Sequence, residues 1–76
     1  MERVINFFKQ LGFSLDKTKR IDHFYMDKFY PVHIDVQGDK DNITIRLIGY
    51  KHVEEEHDFS TDRLNDVEEV IKYWEN

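Results

Sequence analysis

Two short runs of alternating side chains constrain this chain more than anything else in it. Val32, Ile34 and Val36 alternate with His33, Asp35 and Gln37, and Ile43, Ile45 and Leu47 alternate with Thr44, Arg46 and Ile48. A period of two places each aliphatic trio on one face of a strand and its polar partners on the other. Between the runs lies Gly38-Asp39-Lys40-Asp41-Asn42, a turn composition that closes them as an antiparallel hairpin. Each strand then has one apolar face that needs a covering layer.

The two ends of the chain supply that layer. Val4, Phe8 and Leu11, with Phe7 beside them, fall on one stripe of a 3.6-residue repeat, which predicts a helix over residues 2–11 with Gly12 as its stop. Leu64, Val67, Ile71 and Trp74, flanked by Val70, form a second stripe; Ser60 is its expected N-cap, Asp62 its first-turn acid, and Phe59 the residue that staples onto Leu64. Residues 13–16 and 20–27 read as a weaker strand pair joined by Lys17-Thr18-Lys19, with Pro31 at the start of the next strand. Gly49 marks a bulge or bend, after which residues 50–58 run on as a short edge strand that three consecutive Glu keep from pairing further. The expected fold is α+β: one domain over residues 1–76, an antiparallel sheet of three to five strands flanked by an N-terminal and a C-terminal helix.

Length and composition narrow the function classes. A chain of 76 residues buries about 60% of its unfolded surface, enough for one modest core and too little for a cleft between domains. Without Cys there is no disulfide framework, thiolate nucleophile or Cys-based zinc site, and Met1-Glu2-Arg3 has neither the basic start nor the cleavage site of a signal peptide, so a cytoplasmic location is expected. No apolar run approaches the roughly 20 residues of a membrane span. Ser14, Thr18, Thr44, Ser60 and Thr61 are the hydroxyls besides Tyr, and none sits in a Gly-flanked elbow or a phosphate loop. His33, Asp35, His52 and His57 are possible N and O donors at spacings that match no metal-ligand pattern. A non-enzymatic protein with no cofactor and no metal is the expectation.

Charge is the strongest functional signal. Residues 1–53 hold seven acids and nine bases, whereas residues 54–76 hold nine acids and two bases, a net of −7. Seven of the nine acids are Glu54, Glu55, Glu56, Asp58 and a predicted helix face of Asp62, Asp66 and Glu69 at i, i+4, i+7. Such a surface suits a basic partner, including a groove that otherwise holds a phosphate backbone. Tyr25, Phe29, Tyr30, Tyr50, Tyr73 and Trp74 exceed what a small core must bury, so Tyr50 and Tyr73 are candidate anchoring contacts and a homodimer through aromatic surface is a further expectation. In the opposite sense, Lys17, Lys19 and Arg20 with Phe24, Tyr25, Phe29 and Tyr30 could touch phosphate and stack bases.

The opening helix, Leu11-Gly12-Phe13 and a strand carrying His23 resemble in outline the HicA-type toxins, small ribonucleases with a fold like the double-stranded-RNA-binding domain. The likeness covers roughly the first third of the chain, and the Gly-Ser that precedes the catalytic His of those toxins is Ile21-Asp22 here. It implies an αβββα nucleic-acid-binding domain, a degenerate nuclease centred on His23 and Lys19, as the alternative. The leading expectation is a phage-like acidic inhibitor, in style a DNA mimic, that meets a basic, nucleic-acid-binding protein through Glu54, Glu55, Glu56, Asp58, Asp62, Asp66 and Glu69 with Tyr50 and Tyr73.

Overall fold

A computed structural model describes residues 1–16 and 22–76. Helix α1 spans Glu2–Gln10, followed by strands β1 (Ser14–Leu15), β2 (Phe24–Lys28), β3 (His33–Gly38), β4 (Asn42–Ile48) and β5 (Val53–Ser60), and by helix α2 (Leu64–Glu75). Among the described residues the strands form one antiparallel meander in the order β1-β2-β3-β4-β5. This is the α+β arrangement that the sequence predicts, at the upper end of its strand count.

The central hairpin forms in the register its pattern demands. Ile34 faces Leu47 and Val36 faces Ile45, while Asp35 faces Arg46 and Gln37 faces Thr44 on the other surface. At the turn, the Asp39 carboxylate accepts from the Asp41 and Asn42 amides at 2.8 and 2.9 Å, and these bonds hold its carboxyl below the ordinary value. Gly38 is required by close approach, because a Cβ there would stand 2.4 Å from the Asn42 carbonyl oxygen.

Both helices lie against the aliphatic face. Val4 and Phe8 of α1, Phe13, Phe24, Met26, Ile34, Val36, Ile43 and Ile45 of the sheet side, and Val67, Ile71 and Trp74 of α2 are buried in one cluster; Phe7, Leu11, Phe59, Leu64 and Val70 pack around it. Gly12 follows α1 at φ 96°, a left-handed conformation that a Cβ would oppose. Lys28, at the end of β2, donates to the Leu11 carbonyl and pairs with Glu75, each at 2.6 Å, so one ammonium joins the C-terminal ends of both helices. Among the described residues the opposite face of the sheet carries no helix. Among the described residues no helix is long and apolar enough to cross a membrane.

Three local expectations are corrected. First, α2 begins at Leu64 with Arg63 at the cap position and no side-chain cap, so Asp62 precedes the helix and Asp66 is its first-turn acid. Sheet pairing runs through the expected cap: Ser60 ends β5, the Thr61 amide still bonds to the Asp41 carbonyl at 3.1 Å, and the Thr61 hydroxyl bonds to the Lys40 carbonyl. The Ser60 hydroxyl instead accepts from the Asp62 amide, a turn outside the helix. Second, the edge strand is not short: β5 is the longest strand and runs over Val53–Ser60, with Glu55 facing Leu47 and Glu56 facing Arg46. Its outer side pairs with no further strand among the described residues, as the Glu run leads one to expect, and an edge strand leaves those charges in water. A bulge does occur beside Gly49, as a register shift between Leu47 and Ile48. Third, β1 is only two residues long and β2 starts at Phe24. The turn expected at Lys17-Thr18-Lys19 lies outside the described residues.

Candidate interaction edge

The acidic segment splits by the pleat of β5. Glu55, His57 and Phe59 face the helix side, opposite Leu47, Ile45 and Ile43, whereas Glu56 and Asp58 face the open side, opposite Arg46 and Thr44. Successive strand residues point to opposite faces, so consecutive Glu cannot make one row. The expected helical row is likewise divided: Asp66 and Glu69 lie on α2, and Asp62 lies in the turn before it.

On the helix side the Trp74 indole N–H donates to the Glu55 carboxylate, and His57 Nε2 lies 3.4 Å from the same group. The indole hydrogen bond, and then the bond and charge of His57, hold the Glu55 carboxyl below its ordinary value. The His57 ring sits 5.8 Å from Trp74 and 6.2 Å from Phe59. Beside this cluster an open groove of about 380 Å³ is lined by Glu55 and His57 from β5 and by Glu69, Val70 and Tyr73 from α2. Tyr73 is 75% exposed.

Basic side chains neutralise only part of the edge. Arg46 Nε lies 3.3 Å from Glu56, Arg63 pairs with Asp66, and Lys72 pairs with Glu68 at 2.9 Å, which raises the Lys72 pKa. Among the described residues no Lys or Arg pairs with Glu54, Glu55, Asp58, Asp62 or Glu69. Asp58 accepts from the Thr44 hydroxyl at 2.6 Å, and Glu54 lies 3.5 Å from His52 Nε2. The structure thus brings Glu55, Glu69 and Tyr73 to one groove and leaves Glu56 and Asp58 on the other side of the same strand. Tyr50 is apart from them, 84% exposed in the Gly49-to-His52 turn, where Lys51 has φ 68° and stands over its ring.

The remaining candidates lie elsewhere. His33 sits 3.4 Å from Asp27 and stacks on Phe29 at 4.3 Å, on the open face. Asp35 has its carboxyl raised, chiefly by burial and against the pull of Arg46. His23 bonds to Asp22 at 3.0 Å and shares a hollow with Met1, Asp39, Lys40 and Asp41. Lys17, Lys19 and Arg20 lie outside the described residues. Phe29 and Tyr30 are exposed, and Tyr25 is half-buried. Sequence reasoning missed the Trp74–Glu55 bond, which joins residues 19 apart and has no local signature. Scans against protein-family models, curated proteins and solved structures return no match.

Proposed function

We propose that this chain is a small acidic binding protein, acting in the cytoplasm without catalysis, that docks its β5–α2 edge on a basic, nucleic-acid-binding protein partner and inhibits it by occupying the surface that phosphate would take. The observation that carries the reading is the segregation of charge, a net of −7 over residues 54–76, onto a strand and a helix that pack side by side. Acids without a Lys or Arg partner keep their full charge for a ligand, and Tyr73 adds an amphipathic contact of the kind enriched at interfaces. The style is that of phage inhibitors that imitate DNA charge.

The test is capture of partners from lysate on immobilised protein at about 0.15 M and about 1 M salt, where charges are screened over about 8 Å and about 3 Å. A basic protein retained at low salt, released at high salt, and lost when Asp58, Asp62 and Glu69 are replaced by Lys is the expected result. Retention indifferent to salt and to those three substitutions overturns the reading.

A further inference from the structure

We infer that the partner is received as an added strand: an extended, Lys- or Arg-rich segment that pairs with the free edge of β5 and sends one cationic side chain into the groove under α2. This rests on the acidic-docking reading above and specifies its geometry. The first observation is the backbone. β5 is the last strand of the sheet, and its outer side meets no other strand among the described residues. The Thr61 amide bonds to the Asp41 carbonyl, which sets the phase of the ladder. Residues facing each other as Thr44–Asp58 and Arg46–Glu56 are then the pairs that exchange no hydrogen bonds. The N–H and C=O groups of Glu56 and Asp58 therefore point outward, where an incoming strand would meet them.

Charge chooses the occupant. Like charges directly opposite one another destabilise a strand pair, so a second copy of β5, with four acids among its eight residues, is disfavoured at this edge. Opposite charges in the same positions favour the pair, so cationic residues fit opposite Glu56 and Asp58 on the open face. The residue between them, opposite His57, points to the helix side and into the groove. There Val70 and the Tyr73 ring can take the aliphatic stem of Lys or Arg, and Glu69 and Glu55 stand beside the charged head. One edge thus reads three successive basic residues in extended form, as found in the basic tails of nucleic-acid-binding proteins.

The experiment measures binding of a labelled peptide of about nine residues, long enough to span β5, with three arginines at its centre. A second peptide of the same sequence carries N-methyl groups on alternate amides, which keeps its charge and removes its donors on one edge. The expected result is that methylation weakens binding at least tenfold, about 1.4 kcal/mol. In the complex with the unmethylated peptide, hydrogen exchange at the Glu56 and Asp58 amides slows. Equal affinity of the two peptides, with exchange unchanged, overturns strand addition and leaves the charge-based reading standing. Failure of both peptides to bind at low salt overturns the two together. A dimer of the free protein in which those same amides are already protected also overturns it, because the edge would then be filled by a second copy.

Discussion

β4 and β5 are neighbours in one sheet, nearly equal in length, and built on opposite rules. β4 buries Ile43 and Ile45 completely, while β5 is the longest strand and buries none of its residues. β4 is held by what its side chains remove from water, β5 by its backbone ladder and by cross-links at its ends and faces: Thr44 to Asp58, Arg46 to Glu56, Trp74 to Glu55. The lesson is a division of labour. A central strand stores stability in apolar area, and an edge strand, freed from that duty, presents charge and an unpaired backbone.

The sharpest way to break this comparison is to cut both strands and compare the losses. Ile45→Ala removes a fully buried side chain at the centre of the sheet and should cost about 2–5 kcal/mol. At about 4–8 °C of midpoint per kcal/mol in a chain this small, thermal unfolding should move down by about 8 °C or more. Glu54→Ala, on the exposed edge, should stay within about 0.5 kcal/mol. Comparable losses in thermal melts of the two variants would show that β5 carries stability as β4 does.

A middle-sized effect is expected at Trp74→Phe, which removes the indole donor to Glu55. The expected cost is about 1–2 kcal/mol, with hydrogen exchange quickening in β5 and little changed in β3. The same bond sets an acid limb. Glu55 has a folded-state pKa below its ordinary value, so its contribution is present above the ordinary carboxylate range and is lost as pH falls through the lower folded-state value. Tryptophan fluorescence titrated downward from neutral pH should show that step in the native protein and lose it in Glu55→Gln.

How much of this was legible beforehand follows the same division. The β3–β4 hairpin, the α1 stripe and the α2 stripe of Val67, Ile71 and Trp74 were readable because burial imposes a period on the sequence. β5 has no apolar alternation to read; its strand state comes from register with β4, a partner that lies across a turn, so the sequence marks an extended edge over residues 50–58 without fixing its bounds, which the ladder sets at Val53–Ser60. The start of α2 was misplaced because Ser60 and Asp62 carry a local capping signal that long-range pairing of Thr61 with Asp41 overrides. Glu55, Glu69 and Tyr73 were all singled out as binding residues, yet their meeting in one groove depends on how α2 crosses β5, which no spacing encodes.

The smallest effect concerns the side chain that links the two regimes. Arg46 of β4 lies 3.8 Å from Asp35 of β3 and 3.3 Å from Glu56 of β5, so the central and edge acids share one cation. Asp35 is the acid that loses in this arrangement: one of its carboxylate oxygens is buried without a hydrogen-bond partner among the described residues, and burial raises its pKa more than Arg46 lowers it. A folded-state value above the unfolded one means that the stability associated with Asp35 is fully present below the ordinary carboxylate value and declines as pH rises through the raised one. Asp35→Asn should therefore stabilise the protein at neutral pH by about 0.5 kcal/mol or less. The gain should vanish at pH values below the ordinary carboxylate range, at about pH 3, where the carboxyl is protonated in both states. Thermal melts at the two pH values measure it. A loss of stability at neutral pH would mean that attraction to Arg46 outweighs desolvation, and that the open face of β3 is held by charge in the same way as β5.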